Sequence, residues 1–344
     1  MMKSIYLAGP NKFEARDIPR PVPAAGEVLI AVRAAGICGS DRHYLSPGYE
    51  HDFAASPLII GHEGAGEIVE LGPGVSRLKV GDRVAIESAR PCRHCEFCRT
   101  GFANRCPDVA FLGYPPYDGL MREFIAYPAE DVEADGSAAL SFDDLMMLEP
   151  FAIAINTLDV VGFRAGWTAG VVGCGAIGLS VIAALKAAGA AQVFATDIRD
   201  YKRDWAMRYG ADVFINPARE DAPAAVEQAT RGRGVDAAFE CAGAQSAQDQ
   251  AMFMVRPAGV LGLLGINPEG RLELDADRLR RRGIAIYCIR RANETLHRAM
   301  SLAVKRDLRL GEIVTHSYPL AQLPVAMSNF MDYAGGVVKA CVHL

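Results

Sequence analysis

Four cysteines lie close together in one short hydrophilic segment of the chain. Cys92, Cys95, Cys98 and Cys106 follow the spacing C-x2-C-x2-C-x7-C. Four thiolates in such a segment suit a closed, tetrahedral structural zinc site. An iron–sulfur cluster would use the same ligand type, but nothing else in the sequence indicates electron transfer. Because the segment has little apolar surface to bury four unrelated thiols, we expect one structural zinc ion here.

A glycine-rich segment, VVGCGAIG, has the spacing of a nucleotide-binding loop. Gly173, Gly175 and Gly178 form G-x-G-x-x-G after an apolar run and before a helical one. In a unit of strand, loop and helix, the first glycine permits a tight turn, the second lets a pyrophosphate approach the backbone, and the third allows close packing of the helix. The N-terminus of the helix offers unpaired N–H groups to the pyrophosphate. We expect Ile177, between the last two glycines, to contact the same nucleotide.

An acidic residue follows this loop at the distance that ribose binding requires. Asp197 ends the next apolar run, about 20 residues on, where a carboxylate accepts hydrogen bonds from ribose hydroxyls and repels a 2′-phosphate. A surface aspartate at a strand end is the alternative, but position, strand and loop agree. Arg199 could partly support NADP, so the segment predicts a cofactor site with a preference for NAD.

A second group of metal-binding residue types is spread over separate motifs. Cys38 lies in GICGSDRHY, His62 and Glu63 lie in GHEGAG, and Glu149 lies in LEP. Three protein ligands of mixed sulfur, nitrogen and oxygen type with an open position are what a catalytic zinc needs. Taken singly, each is better explained as a core thiol, a hydrogen-bonded loop histidine or a solvated carboxylate. Their spacing alone therefore predicts no site.

The bulk composition is that of a globular protein long enough for about two domains. Its 344 residues are 51% hydrophobic, and 36 basic against 41 acidic side chains give a net charge of -5, which makes no electrostatic case for nucleic acid. The basic run from Arg278 to Arg282 is interpreted as a solvated helix face. Charged residues appear near the start of the chain before an apolar run of signal-peptide length, so we expect a cytoplasmic protein and not a secreted one. Glycines interrupt the apolar stretch 169–185, so we expect no membrane segment.

Two kinds of secondary-structure pattern must position these residues. Up to about Leu140, short β-type runs alternate with Gly, Pro and Asp, which indicates an irregular β-rich domain. From Ser141 the apolar spacing favours a helix capped by Ser141 and Asp144. After Trp167, strands and helices alternate, which predicts a parallel sheet with crossover helices. The predicted strands are 169–172, 192–196, 235–240 and 260–264, and the predicted helices are 177–188 and 202–209.

Together these motifs resemble the zinc-containing medium-chain dehydrogenases, and within that family the sorbitol, or polyol, dehydrogenase branch. The resemblance covers essentially the whole chain and rests on GICGSDRHY, GHEGAGEIVELGPGV, VGDRVAI, the cysteine segment, LEPFAIAINTL, VVGCGAIG and RRGIAIYCIRR. It implies an α/β protein with a GroES-like β-rich catalytic domain, 1–153 and 289–344, and a Rossmann domain with a doubly wound parallel sheet, 154–288. It also implies an active site between the two domains, and we expect no further chemical motif after about residue 289.

The resemblance assigns roles to the scattered metal-binding residues. It implies that Cys38 and His62 bind one catalytic zinc, with Glu63 and Glu149 as direct or water-mediated ligands that exchange. Asp41 then orients His62 as a hydrogen-bonding partner. Glu149 stands where simple alcohol dehydrogenases carry a cysteine, which favours the polyol branch.

The resemblance also assigns a proton path and a substrate pocket. Ser40 and His43 match the family's relay, which carries the alcohol proton outward through the nicotinamide ribose. Tyr44, Phe111 and Arg290 match positions that contact a polyol.

The resemblance implies a zinc- and NAD-dependent oxidoreductase that acts on a secondary alcohol. The implied substrate is a polyol such as sorbitol or xylitol. The resemblance also implies a homo-oligomer, either a tetramer or a dimer. Arg291, where the branch often has tyrosine, and the loop GYPPYDG leave the substrate open. A threonine-type amino-alcohol dehydrogenase or a sugar dehydrogenase would carry the same motifs. A non-catalytic nucleotide-binding protein on this fold is the alternative of another class, disfavoured because the metal and relay residues occur together.

Overall fold

The computed structural model describes residues 1–45, 49 and 51–344, and it divides into two compact units. Unit 1 comprises Met1–Glu149 and Leu296–Leu344, and unit 2 comprises Pro150–Thr295. The first boundary lies four residues before the predicted one (149 against 153) and the second seven residues after it (296 against 289). Hydrogen bonds explain the second difference, because Asn156 donates to the carbonyl of residue 291 and the Thr295 hydroxyl donates to the Ala152 carbonyl, which holds that segment in unit 2.

In chain order, the strands before residue 149 and after residue 296 belong to unit 1, and those between belong to unit 2. They are β1 Met2–Leu7, β2 Phe13–Ile18, β3 Glu27–Ile37, β4 Glu63–Leu71, β5 Arg83–Ile86, β6 Ala89–Arg90, β7 Ala110–Phe111, β8 Phe124–Pro128, β9 Val132–Ala134, β10 Thr168–Val172, β11 Gln192–Thr196, β12 Val213–Ile215, β13 Val235–Glu240, β14 Val255–Leu263, β15 Ala285–Cys288, β16 Val314–Pro319 and β17 Lys339–His343.

The helices are concentrated in unit 2 and around the start and end of it. They are α1 Arg42–Leu45, α2 Glu96–Arg99, α3 Phe142–Met146, α4 Leu148–Val161, α5 Ala176–Ala187, α6 Lys202–Arg208, α7 Ala222–Ala229, α8 Gln245–Met254, α9 Ala276–Arg282, α10 Leu296–Arg306 and α11 Leu323–Met331. Short 3-10 turns lie at Gly39–Asp41, Ala103–Arg105, Ala129–Asp131, Leu310–Ile313, Leu320–Gln322 and Ala334–Gly336.

Unit 1 is built on a mainly antiparallel sheet. Its strand order is β16-β17-β3-β4-β5-β9, and β8 pairs with the first half of β3. Strand β3 is central and almost wholly buried, and it pairs with β4 on one side and with β17, from the late part of the chain, on the other. The late segment therefore supplies residues to the interior of the same sheet as the early motifs.

Unit 2 is a parallel sheet with crossover helices. Its order, β12-β11-β10-β13-β14-β15, is 3-2-1-4-5-6 in chain order within the unit, the order of a Rossmann fold. Strand β13 is buried at every residue, as expected where helices cover both faces. The order reverses next to β10, so the loop after β10 lies where doubly wound sheets bind their ligands. The predicted α/β class is confirmed.

Individual elements follow the sequence patterns with shifts of one residue in several bounds and with two larger changes, the division of the helix favoured from Ser141 into α3 and α4 and an earlier start of β14. Strands β11 and β13 have the predicted bounds, and Ser141 caps α3 through a reciprocal capping box with Asp144. Strand β14 begins at Val255 instead of residue 260, because Val255 already pairs with Val235 before a register shift. Among the helices of the described residues, none is both long and apolar enough to cross a membrane.

Candidate metal and nucleotide sites

The four-cysteine segment forms a small lobe between β6 and β7. The sulfur of Cys95 lies 3.4 Å from that of Cys98 and 3.9 Å from that of Cys106, and the sulfurs of Cys92 and Cys98 are 4.0 Å apart. Zinc–sulfur bonds of about 2.3 Å in a tetrahedron require sulfur–sulfur separations of about 3.8 Å. The lobe therefore has the donor spacing of a closed tetrathiolate zinc site.

Backbone N–H groups of the lobe point at its sulfurs. The N–H of Cys92 donates to the sulfur of Cys106, and the N–H of Cys95 donates to the sulfur of Cys92, each at 3.3 Å. Backbone donation from His94, and then from Cys95, lowers the pKa of the Cys92 thiol to about 6. Such donors stabilise the thiolate, which is the form that binds a metal.

The second donor group assembles where two neighbouring strands meet. Cys38 directly follows β3, while His62 and Glu63 lie at the start of β4. The antiparallel register pairs Gly36 with Glu63, so the end of β3 and the start of β4 are adjacent. The structure thereby brings one ligand atom each from Cys38, His62 and Glu63 within 4.8 Å of one another.

Asp41 links two members of this group. Its carboxylate accepts a hydrogen bond of 2.9 Å from the N–H of Cys38, and its other oxygen lies 3.7 Å from Nδ1 of His62. Within the described part of the chain, that Asp41 oxygen and His62 Nδ1 are buried without a hydrogen-bond partner. A shift of less than about 1 Å would join them in a normal hydrogen bond, leaving Nε2 of His62 for a metal.

Lys339, which the sequence analysis did not single out, is a buried ion-pair partner of Glu63. Its ammonium group contacts the Glu63 carboxylate, and both side chains are almost fully buried. Burial alone lowers the pKa of Lys339, but the charges of Glu63 and Cys38 together outweigh it and raise that pKa. The sequence holds no motif around Lys339; only its place in an apolar run, GGVVKACVHL, indicates a buried lysine that needs a counter-charge.

The space for this ion pair depends on Gly36. Gly36 lies opposite Glu63 on β4 and opposite Cys341 on β17. A Cβ at this position would overlap the Glu63 carboxylate and lie 3.1 Å from Cε of Lys339. The glycine in the interior of β3 is therefore required by close approach.

Glu149 lies near this group but outside the set of mutually close donors. It is buried, and its carboxylate accepts a hydrogen bond of 3.2 Å from the Ser88 hydroxyl. Burial is the main cause that raises its pKa to about 7; the charge of His62 acts in the opposite direction and that of Glu63 in the same one. Protein groups supply one of its hydrogen bonds, so Glu149 has acceptor capacity left for a water or a substrate hydroxyl.

The second donor group fits a zinc ion on chemical grounds. It offers one sulfur, one nitrogen and one oxygen ligand, the mixed set that catalytic zinc uses with a fourth position open. Burial raises the pKa of Cys38, and the Glu63 charge raises it further. A bound cation would reverse this effect, because a coordinated thiol is deprotonated.

The predicted relay and substrate residues lie in different places. Ser40 lies in the 3-10 turn after Cys38, and His43 and Tyr44 lie in α1. The ring of Phe111, on β7, is 5.1 Å from that of His62. Arg290 follows β15 in unit 2. The structure thus brings Phe111 to the second donor group and places Ser40, His43 and Tyr44 within six residues of Cys38 in the chain.

The glycine loop has the geometry of a phosphate-binding turn. Gly173 adopts a φ of 94°, in the region that favours glycine, and a Cβ on Gly178 would overlap the Gly173 carbonyl oxygen. Beside Gly175 the protein leaves open space. Helix α5 begins directly after Gly175, and Ile177 in its first turn is half-buried. The N–H groups at the very start of α5 have no carbonyl of their own helix to bond and can face an anion.

Asp197 connects the next strand to this loop. It follows β11, accepts a 2.9 Å hydrogen bond from the N–H of Cys174 with one oxygen, and accepts another of 2.9 Å from the N–H of Arg199 with the other. Each carboxylate oxygen accepts more than one hydrogen bond. The arrangement therefore fixes the carboxylate beside the loop and still allows it to bind ribose hydroxyls.

Both units match known protein families. Residues 24–134 match the alcohol dehydrogenase GroES-like domain, and residues 176–305 match the zinc-binding dehydrogenase domain. A sorbitol dehydrogenase of Bacillus subtilis (strain 168) is 34% identical over 343 residues, which cover 99% of this chain and 97% of that protein.

Relatives with other substrates are similar to a comparable degree. An L-threonine 3-dehydrogenase of Pyrococcus horikoshii is 37% identical over 310 residues, covering 88% of this chain and 86% of that protein. The crystal structure of 2R,3R-butanediol dehydrogenase from Bacillus subtilis superposes with a TM-score of 0.89 at 28% identity, covering 100% of both chains.

Proposed function

Because the chain belongs to the zinc-containing medium-chain dehydrogenase family, on its polyol dehydrogenase branch, we propose that it oxidises a secondary hydroxyl of a polyol with NAD. The alcohol carbon loses a hydride to the nicotinamide and the hydroxyl loses a proton, giving a ketone, NADH and a proton. The observation that carries the proposal is the mixed Cys38, His62 and Glu63 donor group, with Asp41 next to His62.

The donor residues would hold zinc, which supplies Lewis acidity that lowers the pKa of a bound alcohol. Cys38 and His62 would bind it through sulfur and Nε2. Asp41 would fix the tautomer of His62 by accepting from Nδ1–H once the present separation of 3.7 Å closes to hydrogen-bond distance. Glu63 is held by Lys339, so it is the ligand we expect to exchange between metal and ammonium group.

Ser40 and His43 are proposed to carry the hydroxyl proton away from the donor group. Both follow Cys38 within five residues, in a 3-10 turn and a short helix, and the Ser40 side chain interacts with the Cys38 thiol. Histidine is suited to this step because its ordinary pKa is near neutrality.

The cofactor preference for NAD rests on Asp197. Its carboxylate is fixed beside the glycine loop by the N–H groups of Cys174 and Arg199. In that place it accepts hydrogen bonds from the ribose and repels a 2′-phosphate. The positive end of α5 and the open space beside Gly175 support a pyrophosphate there.

A polyol is favoured as substrate because of the polar groups near the metal ligands. Glu149 is buried with acceptor capacity left, and it contacts the Ser88 hydroxyl. A buried carboxylate of this kind favours a substrate with a second hydroxyl and penalises one without it, since the carboxylate would then be left unpaired. Tyr44 and Arg290 are the further proposed polyol contacts, and Phe111 is the proposed apolar wall.

L-Threonine is the second candidate substrate. The 37% identity to an L-threonine 3-dehydrogenase over 88% of the chain favours it, and its amino group next to the hydroxyl could also interact with Glu149.

The test is a screen of kcat/KM for sorbitol, xylitol, 2,3-butanediol, 1-butanol and L-threonine, with NAD and with NADP, on protein of measured zinc content. We expect a polyol to exceed butanol by roughly 10²-fold or more, since a missing hydroxyl leaves a buried acceptor unpaired. Threonine or butanol outperforming every polyol would overturn the substrate proposal and leave the dehydrogenase family unaffected.

The same screen tests the cofactor. Asp197→Ser should reduce the preference for NAD, because the residue that repels a 2′-phosphate is gone. Higher wild-type efficiency with NADP than with NAD would refute the role proposed for Asp197. A homo-oligomer and a cytoplasmic location remain predictions.

A further inference from the structure

A third group of metal-binding side chains lies in unit 1, apart from both donor groups above. Asp143, Cys341 and His343 each place a ligand atom within 4.8 Å of the other two. Nε2 of His343 and a carboxylate oxygen of Asp143 are 2.7 Å apart. Neither the sequence motifs nor the proposed dehydrogenase mechanism uses these residues.

The backbone holds the three side chains in place. Cys341 and His343 are two apart on β17, so they project from the same face of the strand. Asp143 lies in the first turn of α3, whose start is fixed by the capping box of Ser141 and Asp144. Asp144 also accepts a hydrogen bond of 2.7 Å from the N–H of Gly311. Two well-anchored elements therefore present the donors to each other.

The group is open to solvent on one side only. Cys341 is completely buried, the Asp143 side chain is 26% exposed and the His343 side chain is 45% exposed. An ion could enter past the imidazole, with the sulfur forming the inner end of the site. This combination differs from a surface ion pair, where no buried soft donor lies behind the charged groups.

We propose that Asp143, Cys341 and His343 form an additional binding site for a borderline or soft divalent cation, with zinc as the best-suited ion. Thiolate and imidazole donors select such ions over magnesium and calcium, which prefer oxygen ligands. Three protein ligands with a water in the fourth position complete a tetrahedron. On binding, the Cys341 thiol releases its proton to solvent and the sulfur–metal bond takes its place.

The change in geometry required for binding is small. Zinc bond lengths of about 2.0–2.3 Å imply donor separations of roughly 3.3–3.7 Å. The Asp143–His343 hydrogen bond of 2.7 Å would open by less than about 1 Å, and the sulfur, which lies within 4.8 Å of both other donor atoms, would approach by at most about 1.5 Å. The exposed imidazole of His343 can make most of this adjustment by rotating its side chain.

The competing interpretation is an ion pair that only fastens β17 to α3. The Asp143 hydrogen bond raises the pKa of His343, which favours the charged pair. The two interpretations differ in what Cys341 contributes, because an ion pair of His343 and Asp143 does not need the sulfur.

The experiment measures zinc bound per chain for the wild type, Cys341→Ser and His343→Ala after equilibration with excess zinc and gel filtration. We expect each variant to bind one equivalent fewer than the wild type, with unchanged alcohol oxidation. Because the measured quantity is the zinc content of each variant relative to the wild type, it does not depend on the proposed substrate or on how many ions the other two donor groups hold. His297→Ala is the matched control, since it removes an exposed histidine that pairs with Glu133 at 3.0 Å and that, among the residues the structure describes, belongs to no group of three donors.

Cobalt substitution gives a second readout on the same proteins. Cobalt bound by a thiolate should add a sulfur-to-metal absorption band, and Cys341→Ser and His343→Ala should both lose that increment. Equal zinc content and equal cobalt spectra in wild type and His343→Ala, a partly exposed position that tolerates substitution, would overturn the proposal even if Cys341→Ser failed to fold.

Discussion

The four-cysteine lobe and the Cys38, His62 and Glu63 group offer metal donors in two very different environments. The lobe takes all its donors from 15 residues, 92–106, and most of them are half-exposed among backbone N–H groups. In the second group the donors come from two strands, and buried charged partners accompany two of them: Asp41 beside His62 and Lys339 beside Glu63.

The difference in environment predicts two kinds of metal site. The lobe would hold its metal ion with a fixed set of ligands, whereas the second group would have a ligand that can leave the metal ion and return to it. In the lobe, the sulfurs contact backbone N–H groups and one another. In the second group, Lys339 would compete with a bound metal for Glu63, and Glu149 adds another acid nearby. The four-ligand set is closed, whereas the mixed set keeps a position and a ligand that can change.

The largest effect is expected from breaking the lobe. Cys98→Ser should lower the free energy of unfolding by about 4 kcal/mol or more, because loss of a structural metal belongs to the most damaging class of substitutions. Denaturant unfolding and zinc analysis measure this, with Cys288→Ser, an exposed cysteine outside the donor groups, as control. Unchanged zinc content in Cys98→Ser would contradict the closed site, as would lost activity in a variant of wild-type stability.

The converse is expected for the second donor group. Cys38→Ser should reduce kcat/KM by about 10³-fold, since the loss of several kcal/mol of Lewis-acid stabilisation costs a factor of ten per 1.4 kcal/mol. Its unfolding free energy should stay close to that of the wild type with the lobe zinc retained. A variant that unfolds like Cys98→Ser while keeping its residual activity would remove the distinction between the two groups.

A third expectation concerns Lys339, which has no counterpart in the lobe. Lys339→Met should destabilise the zinc-free protein by about 3 kcal/mol, because the buried Glu63 carboxylate loses its counter-charge. Bound zinc should reduce this cost, since the ion neutralises the carboxylate. The test is the free energy of unfolding, measured with and without a chelator, for the wild type, Lys339→Met and Lys339→Arg. The arginine variant is the control that keeps the positive charge. An equal loss in both conditions would argue against a ligand shared between metal and lysine.

The smallest expected effect is that of the buried aspartate. Asp41→Asn should weaken zinc binding or reduce kcat/KM by about 10- to 100-fold, the usual consequence of losing the partner that orients a histidine ligand. The asparagine can still accept the hydrogen bond from Cys38, so the fold should be retained. Asp135→Asn, a buried carboxylate that caps a turn, is the control for general effects of charge removal. Wild-type zinc affinity and activity in Asp41→Asn would show that His62 needs no such partner.

The sequence allowed prediction of features that local patterns encode. The bounds of β11 and β13, the capping of α3 and the spacing of the lobe all depend on residues near one another in the chain. The glycine loop and Asp197 were also accessible, because a strand and a helix between them fix their distance. The family resemblance, not the spacing, connected Cys38 with His62.

Contacts between distant parts of the chain could not be predicted in this way. Lys339 meets Glu63 because β17 pairs with β3 and β3 pairs with β4, and neither pairing leaves a pattern in either segment. The group of Asp143, Cys341 and His343 depends on the same strand, which lies in the stretch where no chemical motif was expected. The role of Gly36 follows only once these neighbours are known.

The position of β17 between β16 and β3 has a consequence for the order of events during protein synthesis. Lys339 is made 276 residues after Glu63, and the whole of unit 2 is translated between them. At about 5 to 20 residues per second, this interval lasts roughly 15 to 55 s. During that time unit 2 can fold, whereas the sheet of unit 1 lacks an inner strand and Glu63 lacks its ammonium partner. A nascent chain could thus acquire its nucleotide loop and its cysteine lobe before the carboxylate of the mixed donor group is neutralised, and a zinc ion arriving in that interval would meet Glu63 without competition from lysine.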